Sequence, residues 1–276
     1  MDYKSEIPLA YQGIKDESSV LQTENGQVVI FDLFHLEKNN GIGFWQRYRE
    51  NSWLKKQVKE ARELLMFSEI TKLKLESLYH LSRNKTRLIK PFVSSEVKPF
   101  DDDAKDIVRY KYAEGNAYFL FNGPIHASSN VIELLKGFSV FKKKLGSNMK
   151  LLLTGTTGKF SDLFMQALDT YKFRNDIVIT GYLDNEERME IFSSAYALVH
   201  TNRWERFGMP IPLAMKAGVA ILAPVNSVHS EMAGMAGMFF DEKESADIGE
   251  KLTRIYRDEQ IRSEMIGTGL AKMNNV

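Results

Sequence analysis

Short apolar runs alternate with longer segments of mixed polarity, and the alternation sharpens after residue 117. Tyr118–Phe121 (YFLF), Met149–Thr154 (MKLLLT), Ile177–Thr180 (IVIT) and Ala195–His200 (AYALVH) have the near-continuous apolar character of strands buried on both faces. Between them, Asn130–Lys144, Asp162–Tyr171 and Glu186–Ser194 read as helices. The stretch Thr201–Gly218 (TNRWERFGMPIPLAMKAG) reads as a polar loop, a glycine turn and a helix that opens near Pro210 and stops at Gly218. The apolar run Val219–Ala223 then completes a βαβ unit. Glu231–Phe240 and helices at Ser245–Tyr256 and Glu259–Met273 close the region. Strands followed by helices at these intervals predict a doubly wound parallel sheet covered on both faces.

The first part of the chain is less regular. Gln27–Phe34 (QVVIFDLF) predicts a buried strand after an Asn25-Gly26 turn, with Val28, Val29, Ile30, Phe31 and Leu33 facing both sides. Trp45, Tyr48, Trp53, Leu54, Val58 and Ala61 have helical spacing. Leu64–Phe67 predicts a short strand, Ser68 caps a helix reaching about Leu81, and Thr86–Ile89 predicts a strand broken at Pro91. The acidic run Asp101–Asp103 reads as a linker before a helix at Ala104–Tyr112. The expected organisation is α/β, with an abbreviated part over 1–110 and a complete doubly wound domain over 111–276. Residues 1–26 are polar and short, so the strand Gln27–Phe34 is expected to leave a bare edge. With the aromatic area of Phe44, Trp45 and Trp53, that edge predicts a homo-oligomer or a partner chain. The segment Arg47–Arg62, with Lys55, Lys56 and Lys59, leaves two readings open: peripheral contact with an anionic membrane, or a solvated helix face.

Composition narrows the classes. The 37 basic and 36 acidic residues nearly cancel, so no global field argues for nucleic acid. The absence of cysteine excludes disulfides and thiolate metal sites and fits a cytoplasmic location. No apolar run approaches the roughly 20 residues of a membrane span.

Candidate chemistry lies in the loops that follow the strands, where α/β sheets bind ligands. These are Asn122–Asn130 (NGPIHASSN), Thr154–Gly158 (TGTTG), Gly181–Asp184 (GYLD) and the loop of Thr201–Gly218 with Glu205. Glycine turns and helix N-termini suit phosphates, although a helix cap by Ser128 or Ser129 and a plain turn at Gly155 remain the structural alternatives. Ser227–Gly234 (SVHSEMAG) reads as a turn into a helix. His35, His80, His126, His200 and His229 show no metal-ligand spacing, and no G-x-S-x-G nucleophile elbow is present.

Several of these segments together resemble one family. Glu205–Met215 (ERFGMPIPLAM) resembles the E-G-F-G-L-P-x-L-E-A-M segment of retaining glycosyltransferases of family four, which have the GT-B fold. Phe67–Lys72 resembles V-S-E-F-S-K, Ile89–Val93 the V-I-P-N-G-V hinge, and the loop at Gly123 the V-G-R-x-x-x-x-K-N motif. The resemblance covers roughly residues 27–272. It implies a GT-B-like fold and transfer of a hexose from a nucleotide-diphosphate sugar to a glycan or lipid-linked acceptor. It places Glu205 on the sugar, Asp32 on the catalytic side, and Gly123, His126, Ser129 and Gly155 at the diphosphate. Gly181 and Tyr182 would frame the base, and Phe207, Gly208 and Glu231 hold matching motif positions. The donor is a substrate, and neither a cofactor nor a metal is implied. Phe31, Pro124, Ser129 and Leu213 stand where the family has histidine, arginine, lysine and a second glutamate. Impaired transfer is therefore expected, or else an inactive partner or scaffold of another glycosyltransferase, or one half of a split enzyme. The stretch before residue 27 is shorter than the first strands and glycine loop of a full GT-B N-terminal domain, which is why that part is expected to be abbreviated.

Overall fold

The computed structural model describes residues 20–22, 26–31, 33–36, 43–91, 93, 96–123, 125, 129–155, 161–201, 210–225 and 227–274. These fall into two units, one up to residue 93 and the other from residue 96.

The first unit is built on a four-stranded sheet, β1 (Val20–Gln22), β2 (Gln27–Ile30), β3 (Glu63–Met66) and β4 (Thr86–Leu88), ordered as numbered. β2, β3 and β4 run parallel, and β1 pairs antiparallel with β2, Val20 opposite Ile30. The edge expected to be bare is thus covered by β1. The strand expected over Gln27–Phe34 ends at Ile30, because its four residues already match the four of β3. The chain then tightens into a 3-10 turn, Phe34–Leu36, with the Leu36 N–H donating to the Leu33 carbonyl at 2.9 Å. Both faces of β2 are buried as its apolar run requires. Val28, Ile30 and Leu33 pack with Leu54 and Val58 of the helix Phe44–Glu60, while Val29 and Phe31 pack with Leu65 on the other face. The helix Glu69–Tyr79 starts where expected, the Ser68 hydroxyl accepting from the Thr71 N–H at 3.3 Å.

The second unit carries six parallel strands: β5 (Tyr118–Asn122), β6 (Lys150–Thr154), β7 (Ile177–Gly181), β8 (Ala197–Val199), β9 (Ala220–Pro224) and β10 (Gly237–Phe240). Their spatial order is β10-β9-β8-β5-β6-β7. Phe119 and Phe121 face a core filled by Leu134, Phe138 and Phe141 of the helix Val131–Leu145 and Ile248, Leu252 and Ile255 of the helix Ser245–Arg257. Tyr118 points to the opposite face, where its hydroxyl donates to the Ile191 carbonyl of the helix Asn185–Ser194 at 2.8 Å. The acidic run at 101–103 is not a linker. The Asp101 carboxylate caps the helix Asp102–Ala113, accepting from the Ala104 N–H at 2.8 Å, and Asp102 and Asp103 occupy its first turn, where the helix dipole favours them. That helix is tied to Asn185–Ser194 by Tyr112 to Glu187 at 3.2 Å and Lys111 to Glu190 at 3.2 Å. The sequence-drawn boundary near 110 falls inside it.

Candidate functional site

The chain enters the second sheet at β5, steps outward through β6 and β7, then returns to the other side of β5 with β8. β5 and β8 are therefore the switch point, the place where open α/β sheets bind their ligands, at the carboxyl ends of the strands. Everything assembled below lies at this end of the strands.

Each of the strands β5, β6 and β7 ends on a glycine turn with positive φ: Gly123 at 148°, Gly155 at 127° and Gly181 at 72°. An L side chain rarely adopts such angles, so glycine lets the chain leave the sheet sharply and leaves no side chain between the backbone and a ligand. The three turns are laced together. Gly123 N–H donates to the Thr154 carbonyl at 3.1 Å and Gly155 N–H to the Gly181 carbonyl at 3.0 Å. Asn122 Nδ2 donates to Thr154 Oγ1 at 2.7 Å, and that hydroxyl donates to the Phe121 carbonyl at 3.2 Å.

The switch point has its own tie. Thr201, fully buried just after β8, donates its hydroxyl to the Ser129 carbonyl at 2.9 Å and so joins the loops that follow β8 and β5. Ser129 is itself fully buried, and Asn130 turns through φ 58° to open the helix Val131–Leu145. Asn130 Nδ2 is anchored on the Glu242 carbonyl at 2.6 Å. His200 at the end of β8 lies against His229 with ring centroids 4.2 Å apart, both buried. His229 belongs to the helix Val228–Ala233, which is held by reciprocal Ser227 and Ser230 capping and carries the half-buried Glu231. Tyr182 follows Gly181 and is 82% exposed, an aromatic face free to stack on a planar group. The next helix opens on a capping box of Asp184 and Glu187.

The structure thus brings Gly123, Ser129, Gly155, Gly181 and Tyr182 to the carboxyl end of one sheet and sets Glu231 on a helix anchored to β8. Asp32, His126, Glu205, Phe207 and Gly208 lie outside the described residues, as does Pro124. Leu213, half-buried, lies on the helix Pro210–Lys216. Phe31, at the motif's histidine place, is a core residue of the first unit, 6% exposed and stacked on Phe67 at 5.8 Å. Asn122, Thr154 and Thr201 open loops that the sequence singles out, but the ties they make, and the contact between His200 and His229, are not read from it. Among the described residues no cluster of three or more histidine, aspartate or glutamate side chains is placed to hold a metal ion, and no helix is long and apolar enough to cross a membrane.

The sequence pattern of the glycosyl transferases group 1 matches residues 102–271, the greater part of the chain. The O-antigen chain mannosyltransferase B of Escherichia coli is 24% identical over 227 residues, covering 82% of this chain and 59% of that relative. The chain thus spans about six-tenths of the length of this curated relative. WaaG, a glycosyltransferase involved in lipopolysaccharide biosynthesis, superimposes with a TM-score of 0.77 at 15% identity, over 99% of this chain and 78% of that one. HepE from Anabaena, in complex with UDP and glucose, gives 0.72 at 13% identity over 90% and 66%. The fold is GT-B-like.

Proposed function

Because the chain belongs to the group 1 glycosyl transferases, we propose that it holds a nucleotide-diphosphate sugar at the β5–β8 switch point and transfers the hexose slowly to a glycan or lipid-linked acceptor. The observation that carries this reading is the row of glycine turns at Gly123, Gly155 and Gly181, tied side by side where an open α/β sheet binds ligands. In this assignment the turns at Gly123 and Gly155, which have no side chain to block approach, border the diphosphate, Tyr182 stacks on the base, and Glu205 contacts the sugar. His126, Ser129, Phe207, Gly208 and Glu231 complete the donor side. Asp32 keeps the catalytic role that the family resemblance gives it, and the first unit is assigned to the acceptor.

The rate is proposed to be low for an electrostatic reason. Negative charge grows on the diphosphate as the glycosidic bond breaks, and fixed cations stabilise that charge. Pro124 and Ser129 stand where the family has arginine and lysine. Each charge-assisted hydrogen bond contributes about 1.5–3 kcal/mol, so losing two lowers affinity by more than about a hundredfold. Ser129 is fully buried, which makes a lysine there a disruptive replacement, so restoration is better tried at residue 124.

A second reading, donor binding without turnover, is favoured by Phe31. Its ring is locked into the first unit's core and offers no proton donor or acceptor. The test combines binding and turnover of radiolabelled UDP-glucose and GDP-mannose by the wild type and Pro124→Arg. Tighter binding together with faster donor consumption in the variant supports the transferase. Tighter binding with no consumption selects the second reading. Unchanged binding in the variant, at the level of buffer, overturns both.

A further inference from the structure

The helix Val228–Ala233 has only 6 residues, too few to be stable alone, so its contacts hold it in place. Ser227 ties its start by donating to the Pro224 carbonyl of β9 at 2.8 Å, and Lys272 ties its end by donating to the Met232 carbonyl at 2.6 Å. Between these ends His229 lays its ring on that of His200, the centroids 4.2 Å apart and the planes tilted by 49°. His200 is fixed at the strand end. Its N–H donates to the Leu222 carbonyl of β9 at 2.8 Å, and the next residue, Thr201, is tied to the Ser129 carbonyl. The ring contact thus joins the switch point to the helix that carries Glu231.

Imidazole is the side chain whose charge changes between about pH 5 and 8. Two such rings in contact and shielded from water can share one proton, but a second sets like charges side by side where solvent screens them poorly. The described surroundings do not offset that second charge. β5, β8, β9 and β10 carry no charged side chain. Lys216 is the one charged residue of the helix Pro210–Lys216, which packs on the helix of His229, and Lys272 reaches that helix from Glu259–Asn274. Both of these add positive charge, and Glu231 is the one carboxylate on the helix itself. We infer that the His200–His229 contact is a proton-sensitive tie that positions the helix of Glu231, holding it against β8 while at most one ring is charged and releasing it when both are. The tied arrangement binds fewer protons than the released one, so it is complete at the alkaline end of the imidazole range and is lost as pH falls. Its consequence for donor affinity rests on the reading of Glu231 as a donor-side residue; the tie itself does not.

The experiment is hydrogen–deuterium exchange of the full chain at about pH 8 and about pH 5, corrected for the intrinsic pH dependence of amide exchange. Calorimetric titration of UDP-glucose and GDP-mannose accompanies it at the same two values. Exchange over residues 228–233 should quicken by up to about tenfold per pH unit as the second proton enters, while the helix Val131–Leu145 keeps its protection. His229→Phe keeps a ring against His200 and removes one proton site, so its exchange should be the same at both values. His200→Phe should act alike from the strand side and serves where the first variant folds poorly. Donor affinity of the wild type should fall at least about tenfold at the lower pH, the loss of one charge-assisted contact, and stay level in both variants. Equal protection of 228–233 at both values in the wild type, a loss spread over the whole second unit, or the wild-type response in both variants would overturn the inference. So would an exchange response that leaves a measurable donor affinity unchanged, since the helix would then position nothing. Exchange as expected with no donor heat at either pH supports the tie and sinks the donor reading alone.

Discussion

Thr154 Oγ1 has one hydrogen to give, and it goes to the Phe121 carbonyl, so the hydroxyl can only accept from Asn122. This fixes the Asn122 amide with its nitrogen toward β6 and stiffens the two turns at Gly123 and Gly155. Thr154→Val should therefore cost about 1–2 kcal/mol in urea unfolding, because the buried Phe121 carbonyl and the Asn122 amide both lose a partner. A change below about 0.3 kcal/mol would remove the tie from the account. Tyr171 gives a second expectation. Its hydroxyl donates to the Leu135 carbonyl at 2.7 Å, and burial pushes it up to about 12 from an ordinary 10.0. A folded-state value above the unfolded one means the contribution is full below pH 10 and is lost as pH rises toward 12. Unfolding midpoints should fall over that window, and Tyr171→Phe should fall less steeply. Equal slopes for the two proteins would contradict the burial argument.

Among elements, the helices Val131–Leu145 and Ser245–Arg257 approach most closely at two glycines. A Cβ on Gly249 would stand 2.6 Å from Val140 Cβ and 2.7 Å from the Gly137 carbonyl, and one on Gly137 would stand 2.7 Å from Ile248. Backbone cannot swing aside as a flexible side chain can, so Gly249→Ala should destabilise by about 1–3 kcal/mol through overpacking. Thermal unfolding measures this, and a gain in Tm would show that the helices can part freely. Elements of this second unit were legible because a strand buried on both faces must be apolar throughout, and each of β5, β6 and β7 is followed by a polar or glycine stop. β2 was over-read for the same reason. Phe31 and Leu33 stay buried after the ladder has ended, so their apolar character continues without pairing. β1 is three residues, Val-Leu-Gln, recognisable as a strand only through its partner β2. Asp101–Asp103 misled as a linker because capping carboxylates and solvated loops have the same composition.

For the molecule as a whole, the legible part of the site is the part that each strand carries by itself. A glycine at a strand end is visible in sequence, and three of them in a row predict where a ligand enters. The ties between loops are not visible, since Asn122 meets Thr154 through strand register and Thr201 meets Ser129 only because β8 inserts beside β5. The His200–His229 contact depends likewise on how β8 and the helix Val228–Ala233 pack, although both histidines were present in the sequence from the start. The central claim is that the switch point of the second unit still holds a nucleotide-diphosphate sugar although the motif cations at 124 and 129 are absent. Calorimetric titration of UDP-glucose and GDP-mannose into wild type, Tyr182→Ala and Pro124→Arg tests it most directly. Saturable binding of one donor is predicted, with a Kd of about 0.1–1 mM. Tyr182→Ala should weaken it about two- to tenfold through lost stacking, and Pro124→Arg should tighten it at least about tenfold. No saturable heat from either donor, in the wild type and in Pro124→Arg alike, would contradict the account.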